Sequence, residues 1–95
     1  MKVEKPWGHE IRWAINDKYL GKILHINKGH RLSKQYHEVK DETIYVLVGP
    51  LILELGPDNE NDYVVTIGLM EGEAYHVRPE AVHRLCAPED FDVEL

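Results

Sequence analysis

The sequence predicts an all-β domain built as a small sandwich or barrel. Turn-forming pairs such as Asn16-Asp17, Lys28-Gly29 and Gly49-Pro50 recur at short intervals along the chain. The runs between them are rich in Val, Ile, Leu and Tyr, and they are too short and too β-branched to favour helices. Short strands separated by turn signals every ~8–12 residues are typical of all-β folds. A chain of 95 residues has room for one such core, so we expect a single domain over residues 1–95.

The turn signals divide the chain into nine predicted strands. Residues 1–18 form an N-terminal arm that contains the first strand and ends at the turn signal 16–17. Further turn signals stand at 28–29, 40–41, 49–50, 56–58, 71–72, 79–80 and 88–89. The strands predicted between them are 10–15, 19–27, 32–37, 42–48, 51–55, 63–69, 74–78, 82–86 and a last one from residue 92 onward. Residues 56–62, with the sequence GPDNEND, are expected to form a loose loop.

Composition and charge exclude several classes of protein. The chain has 11 Lys+Arg and 17 Asp+Glu, a formal net charge of −6, and an acidic chain without a basic stripe is a poor nucleic-acid binder. No run approaches the ~18 apolar residues of a membrane span, and the N-terminal segment lacks the apolar run of a secretory signal. Cys86 is the only cysteine, which excludes an internal disulfide and favours a cytoplasmic location.

Four potential metal ligands come together if the predicted strands pair. Gln35 and His37 are two positions apart in a strand, so their side chains project to the same face. A turn then starts the next strand at Glu42, at the mouth of an apolar interior where a carboxylate needs a partner. His83 begins a later strand after a proline turn and can approach the same point. One amide oxygen, two imidazoles and one carboxylate are a ligand set that a divalent ion accepts in a site with open positions.

The spacing of these residues resembles the first motif of the cupin superfamily. That motif runs glycine, five residues, His-x-His, three or four residues, glutamate, six residues, glycine. Residues 29–49 match every spacing, with Gln35 in place of the first histidine. The matching positions are Gly29, Gln35, His37, Glu42 and Gly49.

The second cupin motif is present in a weaker form over residues 72–86. It runs from Gly72 through Pro79 to His83, with Glu80 or Ala81 where the turn glycine usually stands. The two resemblances together imply a cupin of the cupin 2 type, which is a small β-barrel or double-stranded β-helix (jelly roll). They also imply one divalent metal in the mouth of the barrel, held by Gln35, His37, Glu42 and His83.

A narrower resemblance is to the cupin domain of mannose-6-phosphate isomerases, above all the bifunctional isomerase/guanylyltransferase type, which also has Gln-x-His in the first motif. It rests on Lys5-Pro6-Trp7-Gly8, on residues 29–37 (GHRLSKQYH) and on His83-Arg84-Leu85. It implies a sugar isomerase whose metal polarises the sugar while a base moves a proton between neighbouring carbons. Only this isomerase-like part carries over, because the chain has no nucleotidyltransferase domain. A cupin that binds a sugar or another small molecule without turnover is the alternative, and a metal-dependent dioxygenase is a third.

Gln35 bears on the choice of metal. A hard amide oxygen in place of an imidazole nitrogen weakens binding of copper and ferrous iron relative to zinc, manganese or magnesium. We therefore expect zinc or manganese, with nickel, cobalt or iron as alternatives, and Lewis-acid chemistry rather than dioxygen chemistry. The candidate catalytic side chains are His76, Lys34 and Arg78, and a hydroxide bound to the metal is an alternative base. An even offset places His76 and Arg78 on one face, expected to lie near the metal.

The expected partners are a small ligand and a second copy of the chain. The ligand class is a sugar or sugar phosphate, and Arg31, Lys34, Arg78 and Arg84 either hold its phosphate or lie on solvated strand faces. Because the net charge is −6, a phosphate site has to be a local positive pocket. Edge strands in the N-terminal arm favour a homodimer.

Overall fold

A computed structural model describes residues 1–57 and 62–95, and this part of the chain contains nine β-strands and no helix. The predicted all-β class is therefore confirmed, and among these residues there is no helix that could span a membrane. Most of the expected loop at 56–62 lies outside the described residues. The strands are β1 (Lys2–Lys5), β2 (Gly8–Ile15), β3 (Leu20–Ile26), β4 (Glu42–Tyr45), β5 (Leu51–Leu55), β6 (Val65–Leu69), β7 (Ala74–Val77), β8 (His83–Cys86) and β9 (Val93–Glu94).

The strands form three antiparallel sheets. The largest has four strands in the order β1-β2-β3-β9, and the smaller ones are β4-β7 and β6-β5-β8. β9 pairs with β3 through His25–Glu94 and Ile26–Val93. The bridge between Val48 and Glu94 then connects the chain after β4 to the four-stranded sheet. The C-terminal strand thus links the four-stranded sheet to the chain that follows β4.

A single apolar core lies between the four-stranded sheet and the two smaller sheets. Ile26 and Val93 of the four-stranded sheet, Leu51 and Leu53 of β5, and Val46 after β4 have no exposed surface. Each buried aliphatic side chain of this size contributes about 1.5–3 kcal/mol relative to an exposed one. Because successive residues of a strand point to opposite faces, only alternate positions reach this core.

The segment between β3 and β4 differs from the strand predicted over 32–37. It makes two isolated bridges to β8, Arg31–Cys86 and Gln35–His83. Gln35 and His83 exchange both backbone hydrogen bonds, at 2.8 and 3.0 Å. The carbonyl of His37 instead accepts a hydrogen bond from the N–H of Glu80, in the turn before β8. The segment therefore follows the edge of β8 through two separate bridges and leaves it after Gln35, so that no regular ladder forms.

The N-terminal arm contains a strand that the sequence analysis did not predict. β1 pairs with β2 from Lys2–Ile11 to Lys5–Gly8, so β2 begins two residues before the predicted strand 10–15. Gly8 has φ +150°, and a Cβ there would lie 1.9 Å from the carbonyl oxygen of His25 on β3. Only glycine lets β2 pass β3 this closely. β4 ends at Tyr45 and β6 begins at Val65, within the predicted limits 42–48 and 63–69.

Candidate metal centre

The bridge between the segment that joins β3 to β4 and strand β8 places Gln35 beside His83. Side chains of directly opposed residues in an antiparallel pair project to the same face. His83 is the first residue of β8 and is 3% exposed. His37 follows Gln35 by two positions, and its ring centroid lies 5.9 Å from that of His83. One bridge therefore brings three of the four predicted ligands together.

Glu42 completes the group from the other small sheet. It is the first residue of β4 and stands opposite the core residue Val77 of β7. Its Oε1 atom lies 3.2 Å from Nε2 of His37 and 3.8 Å from Nε2 of His83. Oε1 of Gln35 lies 3.3 Å from the same nitrogen of His37. Ligand atoms of His37, Glu42 and His83 are all within 4.8 Å of one another, so the predicted set is assembled at one point.

The hydrogen bonds of His83 determine which of its ring nitrogens faces this point. Nδ1 lies 3.0 Å from the carbonyl oxygen of Ala81. A carbonyl oxygen can only accept, so Nδ1 carries the proton and a neutral His83 turns the lone pair of Nε2 toward Glu42. A metal-ligating histidine is typically held in this way, with its other nitrogen donating to a backbone carbonyl.

Glu42 supplies a second sign that the centre fits a cation. Among the described residues its Oε1 atom is buried and receives no hydrogen bond, although a buried carboxylate oxygen left unpaired is costly. Ligand atoms at about 2.0–2.2 Å from a zinc ion lie about 3.2–3.6 Å from each other in a tetrahedral arrangement. The separations of 3.2 and 3.8 Å around this oxygen are close to that range. The side chains of Gln35, His37, Glu42 and His83 therefore fit around one divalent cation.

The centre opens onto a cavity of about 1350 Å³, which is lined by Gln35, Glu42 and His83. This is large enough for a small organic ligand. Lys40 also lines it, and its Nζ atom lies 3.8 Å from Oε1 of Glu42. Lys40 is not among the residues that the sequence motifs indicated. Lys40 precedes Glu42 by two positions, and in an extended chain this spacing places both side chains on one face. The sequence pattern therefore could have indicated Lys40.

The three candidate catalytic residues lie away from the centre. The β4–β7 register pairs Thr43 with His76 and Glu42 with Val77, so His76 projects to the opposite face from Glu42. Its imidazole pairs there with the carboxylate of Asp41. Arg78, on the same face as His76, is exposed, and so is Lys34. None of these three described residues lines the cavity, which corrects the expectation that His76 and Arg78 lie near the metal.

The remaining phosphate candidates also point elsewhere. Arg84 stands opposite Glu54 in the β5–β8 pair, with Nη1 3.8 Å from the Glu54 carboxylate. Arg31 is exposed. Neither of these two described arginines lines the cavity.

The structure also decides which residue takes the place of the usual turn glycine. Glu80 has φ +69°, the left-handed conformation that costs a non-glycine residue about 1–2 kcal/mol. Its N–H donates to the carbonyl of His37 at 2.6 Å. This turn therefore ties the segment carrying His37 to the start of β8, where His83 stands.

Comparisons with known proteins agree with this architecture. The family described as mannose-6-phosphate isomerase C-terminal matches residues 1–95. Among solved structures, the Drosophila melanogaster CENP-C cupin domain superposes with a TM-score of 0.85 at 11% identity, covering 99% of this chain and 70% of that one. At this identity the likeness shows the fold alone, and that fold is the predicted cupin barrel. A search of curated proteins found no match.

Proposed function

The chain belongs to the mannose-6-phosphate isomerase C-terminal family, and from that membership and the centre described above we propose that it is a divalent-metal cupin that isomerises a small phosphorylated sugar. The observation that carries the metal is the buried Oε1 atom of Glu42, which receives no hydrogen bond among the described residues and faces Nε2 of both His37 and His83. Family membership supports the sugar phosphate as ligand class. We propose zinc or manganese as the metal, because Gln35 contributes an oxygen where most cupins have a nitrogen.

The residues of the chain have distinct roles in this proposal. Gln35, His37, Glu42 and His83 hold the metal, which when bound supplies Lewis-acid polarisation of a sugar carbonyl or hydroxyl. The carbonyl of Ala81 keeps Nε2 of His83 free to bind. Lys40 lies against Glu42 at the cavity wall, where its ammonium group is placed to stabilise negative charge that develops on a ligand oxygen.

A second candidate function is ligand binding without turnover. It is favoured by the placement of His76, Lys34 and Arg78, since isomerisation needs a base and none of these three lines the cavity. A cupin of this kind would bind the same class of ligand through its metal and release it unchanged.

One experiment separates the two functions. Metal-free protein is loaded with zinc or manganese and incubated with mannose 6-phosphate, and NMR follows the appearance of fructose 6-phosphate. Turnover that is lost in Glu42→Gln and retained in Glu54→Gln supports the isomerase; Glu54 has a similar exposure but lies on the outer face with Arg84. Calorimetric binding of mannose 6-phosphate without product supports the binding function. Absence of both, in protein shown to hold one metal per chain, overturns both.

A further inference from the structure

A second group of charged side chains lies on the inner face of the four-stranded sheet, and the proposed roles above do not use it. Glu10 and Arg12 are alternate residues of β2, and Lys22 of β3 stands directly opposite Arg12. Lys5, at the end of β1, is paired with Gly8 and so shares their face. We call Lys5, Glu10, Arg12 and Lys22 the cationic cluster. The residue opposite Glu10 is Leu24, which packs against the core, so the cluster faces the interior of the barrel.

Glu10 holds the cluster together. Its Oε1 atom accepts hydrogen bonds from Nη2 and Nε of Arg12 at 2.9 and 3.2 Å. Its Oε2 atom lies 3.3 Å from Nζ of Lys22, and Nζ of Lys5 lies 3.9 Å from Oε1. Burial raises the pKa of Glu10, but the hydrogen bond from Arg12 and the charge of Lys22 outweigh burial and leave the pKa below its ordinary value of 4.5. Glu10 is therefore ionised at neutral pH.

One carboxylate does not neutralise three cations. The cluster carries an excess of two positive charges inside a chain whose net charge is −6. The ammonium group of Lys5 lies 3.9 Å from Oε1 of Glu10, beyond hydrogen-bond distance, and its side chain is 36% exposed. Arg12 has three N–H groups left after its two hydrogen bonds to Glu10. Partly buried donors of this kind attract an anion more strongly than donors in open solvent.

The cluster and the metal centre share one cavity. Lys5, Glu10, Arg12 and Lys22 line the same space of about 1350 Å³ as Gln35, Glu42 and His83. The cavity as a whole is of mixed charge, because Asp17, Asp41 and Glu42 also line it. The cationic cluster is the local positive site that an acidic chain needs in order to bind a phosphate, and it consists of residues other than the candidates Arg31, Lys34, Arg78 and Arg84. A phosphate monoester carries about −1.5 to −2 charges at pH 7, which matches the excess. Arg12 suits its oxygens through a planar fork of donors, and the lysines act as point charges.

We propose that the cationic cluster binds the phosphate group of the ligand, while the hydroxyl or carbonyl end of that ligand faces the metal centre. The identity of the ligand's other end rests on the proposed function. The phosphate site itself rests on the cluster, so the two can be tested apart.

The test measures calorimetric binding of three probes: mannose 6-phosphate, mannose and inorganic phosphate. Each is titrated into metal-loaded and metal-free protein. We expect Lys5→Gln and Lys22→Gln each to weaken binding of both phosphate probes by about tenfold, because each variant removes a charged donor to the anion. Binding of mannose, which has no phosphate, should not change. Lys2→Gln is the matched control, because Lys2 is on β1 but projects to the other face, where it pairs with Glu4. Inorganic phosphate should bind equally with and without metal.

The outcomes distinguish this proposal from the proposed function. If wild-type protein binds neither phosphate probe, or if Lys2→Gln weakens binding as much as Lys5→Gln, the phosphate site is refuted. A second outcome is that binding of the phosphate probes depends on Lys5 and Lys22, while binding of mannose 6-phosphate is the same with and without metal and no turnover occurs. The phosphate site then stands and the proposed function fails. Lys5→Gln removes an ion pair that spans 3.9 Å and leaves the closer contacts of Arg12 and Lys22 with Glu10 in place, so it is expected to fold. Its thermal midpoint, measured beside that of Lys2→Gln, checks this.

Discussion

Replacing Glu42 by glutamine is expected to change the stability of the protein in opposite directions with and without a divalent metal. Without metal, Oε1 of Glu42 is buried and receives no hydrogen bond among the described residues. Lys40 is the cation beside it, and this ion pair is weak because the two atoms are 3.8 Å apart and the lysine side chain is 44% exposed. The same oxygen lies 3.8 Å from Nε2 of His83, whose lone pair faces it when the ring is neutral. An amide keeps the shape of the carboxylate, removes its charge and can donate N–H to that lone pair. We expect the metal-free variant to be more stable than metal-free wild type by about 1 kcal/mol, the lower end of the cost of a buried unpaired polar group.

With bound metal, wild type is expected to be more stable than Glu42→Gln. A metal present at 100 times its dissociation constant stabilises wild-type protein by about 2.7 kcal/mol. In a domain of this size, that raises the melting temperature by about 10–20 °C. If loss of the charged ligand weakens the site 100-fold, the variant gains only about 0.4 kcal/mol at the same metal concentration. Wild type is then the more stable protein by about 1 kcal/mol or more.

The assay is thermal unfolding followed by circular dichroism, first on chelator-treated protein and then with zinc or manganese at one fixed concentration. Glu54→Gln is the control, because the side chains of Glu54 and Glu42 are 24% and 25% exposed but Glu54 lies on the outer face of its sheet. The control is expected to show the full wild-type response to metal. An equal metal-induced shift in wild type and Glu42→Gln, or a destabilised metal-free variant, would refute the reasoning.

Gly8→Ala is expected to destabilise the protein by on the order of 3 kcal/mol, because the new Cβ would lie 1.9 Å from the backbone oxygen of His25. Gly68→Ala is the control, because a Cβ at Gly68 would have no atom within 4 Å. Urea unfolding should show a lowered midpoint for Gly8→Ala and a midpoint close to that of wild type for Gly68→Ala. The lowered pKa of Glu10 means that its ion pairs stabilise the protein fully above about pH 4.5 and are lost as the pH falls through the lowered pKa. Urea unfolding at pH 7 and pH 3 should therefore show that wild type loses more unfolding free energy than Glu10→Gln when the pH is lowered. An equal loss in the two proteins would contradict this prediction. Burial raises the pKa of the Cys86 thiol, so alkylation by iodoacetamide at pH 7.5 should be slow in native protein and fast in urea; rapid labelling of native protein would show that the thiol is accessible.

Local sequence rules predicted the fold class and the ligand set because both depend on short spacings. Turn residues at regular intervals mark the ends of strands, and alternation along a strand places Gln35 and His37 together. The turn before the next predicted strand brought Glu42 beside them, and the proline turn before a later strand brought His83. The match of residues 29–49 and 72–86 to known motifs agreed with this set. All four meet at one point in the structure.

The segment carrying Gln35 shows where local rules fail. Its composition favours a strand, but its backbone groups after Gln35 bond to the turn at Glu80 rather than to a neighbouring strand. That turn lies more than forty positions away in the chain, so nothing near Gln35 indicates it. Likewise, the sequence left open whether Glu80 or Ala81 replaces the turn glycine, and the positive φ of Glu80 settles it.

By itself, the sequence determined which side chains share a face of a strand, since that depends only on the two-residue period of an extended chain. It could not determine which face looks into the barrel, because that is set by pairing with strands distant in the chain. His76 and Arg78 do share a face, as predicted, but the β4–β7 register turns it outward. The register of β2 and β3 turns Arg12 and Lys22 inward, where closure of the sheets places them in the cavity that Glu42 and His83 also line.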